Sequence, residues 1–297
     1  MSRCLLFIEL CAGTAAVSLR LHGGEHARPP VSRMGAKTGY ANAILRVLGL
    51  RPGQGYTDGT RYVWCEPDAG VRLLLEAYRD RELAQAAAEI IRSWKDEDPR
   101  ELWERLRAEG PARHVCDPRE VARWALLGRW AYRAGEPESG LNHGRLVDRK
   151  PTITGGNGAK ARTCEQEAGL WASVIEAQPP ATIAPDAREV EPPTPLPPGT
   201  VAYMDPPYVG TTGYAHDLGR EAVVEIARRW DAAGAVVAIS EAEPIGALVA
   251  DGWHAVEITG ERRGQKRTFS AQQREWLTLN REPAWVPSVQ ASLFGAA

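Results

Sequence analysis

The sequence predicts an α/β fold around a parallel sheet, and three observations carry that reading. Residues 4–9 (CLLFIE) form a short apolar run ending in an acid, followed by the small-residue turn Leu10-Cys11-Ala12-Gly13-Thr14 and then AAVSLRLH at helical spacing. Residues 62–68 (YVWCEPD) repeat the pattern, running into the amphipathic GVRLLLEAY. Five further runs have strand character: 181–186 (ATIAPD), 200–205 (TVAYMD), 235–240 (AVVAIS), 254–259 (HAVEIT) and 275–280 (EWLTLN). Between 205 and 235 lies REAVVEIARRWDAAG, an amphipathic helix that Gly234 would end. Strand–turn–helix units in series favour parallel pairing, because a parallel crossover needs a dozen or more residues.

Bulk properties narrow the class. The chain has 297 residues, 43% of them hydrophobic and 25% charged, which allows a sizeable core. No apolar run approaches the roughly 18 residues that span a bilayer, and Glu9 interrupts the apolar start before a signal-peptide core could form. A cytoplasmic protein that does not enter membranes is therefore expected. The five cysteines, Cys4, Cys11, Cys65, Cys116 and Cys164, are scattered and never paired as C-x-x-C, so neither a disulfide framework nor a zinc site is suggested. A formal net charge of -2 argues against indiscriminate coating of nucleic acid, so any such contact must use local patches.

Texture divides the chain into four stretches. Residues 1–79 hold the first two strand–turn–helix units. Residues 80–178 read as an insertion, helical at first with Trp94, Trp103, Trp124 and Trp130 forming its own small core, then Gly-rich and basic over 142–162. Residues 179–283 carry the remaining strands, joined at first by a proline-heavy stretch with no room for a helix, and 284–297 is a low-charge tail.

Chemistry is expected at strand ends, since a parallel α/β sheet binds ligands beyond the carboxyl ends of its strands. Acids stand at four of them: Glu9, Glu66 with Asp68, Asp186 and Asp205. Gly13 would let backbone approach a ligand closely, and an acid such as Glu66 suits a ribose hydroxyl. The fingerprint G-x-G-x-x-G is absent, so a nucleoside without a pyrophosphate fits better than a dinucleotide. GAKT (35–38) has Ala36 where a phosphate-binding loop needs glycine before Lys37. After the strand at 200–205 comes Asp205-Pro206-Pro207-Tyr208, good turn material that also packs an acid, a carbonyl with restricted geometry and a ring into four residues. A carboxylate in such a pocket is tolerable only if a donor or cation satisfies it.

These motifs together resemble the Dam-like (D12) class of N6-adenine DNA methyltransferases, which use S-adenosylmethionine. The matching segments are FIELCAGTAAVSL (7–19), VWCEPD (63–68), TIAPDAREV (182–190) and YMDPPY (203–208). The resemblance implies a Rossmann-like class I methyltransferase fold, a mixed seven-strand sheet with an inserted, mainly helical DNA-recognition region. It implies that Glu9, Cys11, Ala12, Gly13, Thr14, Glu66, Asp68 and Asp186 surround the cofactor, with Asp186 near the cofactor adenine or the target amine. Residues 32–50 are similar to the K-W-A-G-G-K-type element of that family, making Lys37 a cofactor contact, although the element here follows the first strand rather than preceding it. Asp205, Pro206, Pro207 and Tyr208 would do the chemistry on a base flipped from double-stranded DNA. N4-cytosine methylation poses the same chemical problem and is the near alternative; a non-catalytic DNA-binding protein retaining the fold is the other. Cytosine C5 methylation needs a cysteine after a proline, and none of the five follows one.

Two basic stretches would meet DNA phosphates, Arg145, Arg149 and Lys150 in the insertion and Arg262, Arg263, Lys266 and Arg267 between the last two strands. In the tail, Gln290, Leu293 and Phe294 lie in QASLF, which resembles the peptide by which bacterial DNA-processing proteins dock on the sliding clamp.

Overall fold

The computed structural model describes residues 3–30, 36–113, 116–130, 164–173, 179–208, 218–262 and 274–287. In chain order the elements are β1 (Leu6–Leu10), α1 (Ala16–Gly23), α2 (Ala41–Val47), α3 (Gln54–Asp58), β2 (Arg61–Cys65), α4 (Ala69–Arg79), α5 (Arg81–Ser93), α6 (Pro99–Ala108) and α7 (Pro118–Trp130). They continue with α8 (Cys164–Ser173), β3 (Ala181–Ala184), β4 (Val201–Met204), α9 (Arg220–Ala232), β5 (Val236–Glu241), α10 (Gly246–Ala250), β6 (His254–Glu257) and β7 (Trp276–Leu279). Each of the seven predicted strands overlaps an observed one, and the helices expected after the first two strands and before β5 are present.

The strands form one sheet in the order β3-β2-β1-β4-β5-β7-β6. Six strands run parallel in sense, while β7 is antiparallel to both β5 and β6. Chain progression therefore moves outward from β1 through β2 to β3, then returns to β4 on the other side of β1. That reversal opens a crevice at the carboxyl ends of β1 and β4.

Side-chain alternation gives the sheet two buried faces. Leu6, Ile8, Leu10, Ala202, Met204, Val237 and Ile239 face one apolar cluster, filled by Val223, Ile226, Ala227 and Trp230 of α9 and Leu248 of α10. Phe7, Tyr62, Trp64, Tyr203, Ala238 and Leu277 face the other, which α1, α2, α4, α5 and α7 cover. Burying each large side chain contributes on the order of 2 kcal/mol before entropy is counted. The return from β3 to β4 contains no helix among its described residues; Ala187, Val190 and Leu196 of this proline-rich stretch pack on the α9 side instead.

Local chemistry explains the helix boundaries. Asp68 caps α4 by accepting the Val71 amide at 2.9 Å, Asp80 caps α5 through Leu83 at 3.0 Å, and Asp98 caps α6 with Pro99 at its first turn. Gly234, at a φ of 92°, closes α9 in the left-handed region.

Among the described residues, the helices of the predicted insertion do not build a separate core. Trp94, Trp103, Trp124 and Trp130 are buried, as expected of core residues, but in the same cluster as Phe7 of β1 and Leu73 of α4. The reason lies in α4: Gly70 leaves room for the Trp124 ring, and a β-carbon there would stand 2.5 Å from it. Close approach of α7 to α4 fuses the helices to the sheet. Among the described residues no helix is long and apolar enough to cross a membrane.

Candidate functional site

The loop after β1 turns sharply. Cys11, Gly13 and Ala15 all have positive φ, at 61°, 52° and 49°, two of them without glycine's freedom. Such backbone persists only where the surroundings hold it, and three contacts do so. The Ala12 amide donates to the Cys65 carbonyl at 2.7 Å, the Gly13 amide to Glu66 Oε2 at 2.9 Å, and the Ala15 amide to the Ala12 carbonyl at 2.7 Å. Beyond the Gly13 α-carbon, in the direction a side chain would take, no atom lies within 4 Å. The loop thus presents bare backbone at the mouth of the crevice.

Glu9 has a role the sequence did not reveal. Its carboxylate, 2% exposed, accepts the Val17 and Ser18 amides at 3.4 and 2.9 Å and the Ser18 hydroxyl at 2.5 Å. It therefore caps α1 from the neighbouring strand, replacing the side-chain cap that Ala15 cannot supply. Burial pushes the Glu9 carboxyl up to about 7, with the nearby charge of Asp205 adding to the rise and the bonds from Ser18 and Val17 opposing it.

Glu66 and Asp68 hold the next loop. Glu66 Oε1 accepts the Asp68 amide at 3.0 Å, so one carboxylate joins the loops after β1 and β2. Arg72 braces the same turn by donating to the Glu66 carbonyl at 2.8 Å. The half-buried Cys11 thiol faces these acids: burial first, then the charges of Glu66 and Asp205, and more weakly Asp186, hold it well above the ordinary thiol range. It is not an activated nucleophile. Asp186, just past β3, accepts the Arg188 guanidinium at 2.6 Å, which holds its carboxyl below the usual range. Thr14 is buried beside the same turn.

Across the crevice, the Asp205 amide donates to the Leu10 carbonyl at 3.3 Å, attaching the Asp205–Tyr208 turn directly to the end of β1. Pro206 is buried, and Pro207 and Tyr208 are half-buried. Beneath the turn the Tyr203 and Ser240 hydroxyls meet at 2.7 Å, tying β4 to β5. The cation that a pocketed carboxylate requires is Lys37, at the head of a short 3-10 turn (Lys37–Gly39). Its ammonium lies 2.6 Å from Asp205 Oδ1 and 3.6 Å from Glu275 Oε1, with its nitrogen 4.7 Å from the centre of the Tyr208 ring. Tyr208 donates its hydroxyl to Glu275 Oε1 at 2.5 Å. Burial, then the charges of Asp205 and Glu275, hold that phenol far above its ordinary range, so it is neutral.

Glu275 and Glu241 escaped the sequence reading. Because β7 runs antiparallel, its beginning lies at the same edge as the carboxyl end of β5, with Glu241 opposite Trp276. An acid at the start of a reversed strand is thus equivalent to one at the end of a parallel strand. Glu241 is paired with Arg220 at 2.8 Å; its burial raises its carboxyl pKa despite that partner.

Glu9, Cys11, Ala12, Gly13, Thr14, Glu66 and Asp68 therefore gather around two adjoining loops, while Lys37 joins Asp205, Pro206, Pro207 and Tyr208 opposite them. Of the basic residues expected on DNA, Arg262 has its guanidinium 5.9 Å from the ring centre of Tyr40, one turn from Lys37. Arg145, Arg149, Lys150, Arg263, Lys266, Arg267 and the tail residues Gln290, Leu293 and Phe294 lie outside the described residues. No protein-family model matches the chain, and no curated protein resembles it at a significant level.

Proposed function

We propose that the protein is a DNA methyltransferase that uses S-adenosylmethionine to methylate the exocyclic N6 of adenine. The observation carrying this reading is the Asp205–Tyr208 turn, bonded to the end of β1 at the point where the sheet's strand order reverses. The seven-strand mixed sheet is compatible with the Rossmann-like class I methyltransferase fold.

The residues of the β1 loop fit a nucleoside cofactor without phosphate. A pyrophosphate would need the amides at the start of α1, and Glu9 already takes two of them. The buried acids of this crevice suit a cation, and the bare backbone at Gly13 leaves space for one. Glu66 and Asp68, at the end of β2, would stand nearest the ribose. When bound, the cofactor supplies an electrophilic methyl group on a sulfonium, whose carbon–sulfur bond breaks as the methyl is transferred so that the sulfur leaves as a neutral thioether.

An aromatic amine is a poor nucleophile because its lone pair is delocalised into the ring. The Asp205 carboxylate and Pro206 carbonyl, both acceptors, would take its two N–H groups and favour tetrahedral nitrogen, freeing the lone pair. As the new N–C bond forms, the amine gives up a proton, and Asp205 is the base within reach. Proline at 206 and 207 keeps the acceptors in a rigid relation, and the neutral Tyr208 ring offers a stacking face for a flipped base.

Labelled-methyl transfer to unmethylated DNA, followed by nucleoside mass spectrometry, tests the proposal. Label in N6-methyladenine is expected. Label in N4-methylcytosine would move the reading to the other amine, and no label from the intact protein would overturn it.

A further inference from the structure

Neither Lys37 nor Glu275 belongs to the four-residue turn that carries the proposed reaction, yet both meet inside it. They are buried, at 5% and 6% exposed. Lys37 sits on the carboxylate that a target amine needs, at 2.6 Å, and near the ring on which a base would stack, at 4.7 Å. A base entering this site must compete with the protein's own ammonium. A buried ammonium pushed away from its carboxylate is strongly disfavoured unless another acceptor takes it, so its destination matters.

Glu275 is a second carboxylate close to the ammonium among the described residues. At 3.6 Å from Lys37 it is just beyond direct contact, and charge-assisted pairs close to about 2.8 Å, so a shift on the order of 1 Å completes the second pair. Its backbone is held firmly: the Ile258 amide donates to the Glu275 carbonyl at 2.8 Å, and the Glu275 amide donates to Thr259 Oγ1 at 2.8 Å. The same carboxylate receives the Tyr208 hydroxyl. One carboxylate on an anchored backbone thus holds the Tyr208 hydroxyl and stands close to the cation that the base must displace.

We propose that Glu275 is a positioning residue that takes the Lys37 ammonium when the target amine claims Asp205, so that Lys37 passes between two carboxylates without meeting solvent. The inference rests on the amine-methylating reading of the site. It makes a charge-count prediction: Asp205, Glu275 and Lys37 together carry one formal negative charge, and so does Asp205 alone. Removing Glu275's charge leaves Lys37 fixed on Asp205, whereas removing the charges of Lys37 and Glu275 together restores both the native balance and access to Asp205.

The test compares Glu275→Gln, Lys37→Met and the double variant in steady-state methyl transfer to unmethylated plasmid DNA. Each single change is expected to lower kcat/KM about tenfold or more, and the double variant to exceed both singles by at least about threefold. A second readout uses the native chain: the 15N ammonium resonance of Lys37, one of five lysines, identified by its loss in Lys37→Met. It is expected to shift when a short duplex containing the mapped methylation site is added. A double variant no better than the worse single, or a Lys37 resonance unmoved by a duplex that the native protein methylates, would overturn the inference alone. Absence of transfer by the native chain would overturn it together with the proposed function.

Discussion

The Gly13 amide donates to Glu66 Oε2 at 2.9 Å, while the other oxygen of that carboxylate takes the Asp68 amide. A side chain at the end of one strand thereby sets the backbone after its neighbour, and a bend with three positive φ values is kept in place from outside. Glu66→Ala removes both acceptors at once. It is expected to destabilise the fold by about 2 kcal/mol and to weaken S-adenosylmethionine binding at least tenfold, measured by urea unfolding and calorimetric titration. Lost stability with unchanged affinity would confine Glu66 to holding the loop.

Glu9 should make stability fall as pH rises. Its carboxyl is raised by burial from 4.5 to about 7, so the folded state holds a proton that the unfolded chain releases. This contribution is complete below the unfolded value and disappears as pH climbs through about 7. Glu9→Gln should flatten the slope between about pH 5 and about pH 8, followed by urea midpoints across that range. An unchanged slope would place the titration elsewhere.

Asp205→Asn should separate folding from chemistry. The amide still fits the turn but offers one acceptor in place of two, and Lys37 keeps Glu275 as a partner. Transfer is expected to fall by about 10² to 10³ in kcat with near-ultraviolet circular dichroism preserved. Full activity in this variant would remove Asp205 from the mechanism.

Gly70→Ala tests how the helices join the sheet. A β-carbon would lie 2.5 Å from the Trp124 ring, so α7 must shift away from α4. A loss of about 1–3 kcal/mol is expected by denaturant unfolding, and an unaffected midpoint would mean that the two helices slide apart at no cost.

Arg262→Ala should lower the salt dependence of DNA affinity. One phosphate contact fewer reduces the slope of log K against log salt by about one. Filter binding at several salt concentrations measures this, and an unchanged slope would confine Arg262 to contacts within the protein, such as that with the Tyr40 ring.

The strands were legible because each is a short apolar run punctuated by Gly, Pro or acid, and the Asp68, Asp80 and Asp98 caps follow from local chemistry. The turn at Asp205 was legible for the same reason, four adjacent residues with one geometric purpose. Relationships between distant residues were not. Nothing near Lys37 announces Asp205 as its partner, and Glu275 enters the site only because β7 is reversed, a property of the whole sheet. Glu9 reads as a strand-end acid that faces a ligand; that it caps α1 through Ser18, nine residues later, depends on how α1 folds back over β1. The tryptophans of 80–130 read as core, but their union with the sheet depends on how α4, α5 and α7 pack together, with Gly70 admitting the Trp124 ring.

Chain position also sets the order in which these contacts can form during synthesis. Lys37 and Asp205 are both outside the ribosome well before Glu275, which follows Tyr208 by 67 residues. Until that late segment arrives, the Lys37 ammonium has Asp205 without its second carboxylate, and the Tyr208 hydroxyl lacks its acceptor. A nascent chain would therefore display the four-residue turn in a self-occupied form. The Glu275 contacts would form only once β7 docks between β5 and β6.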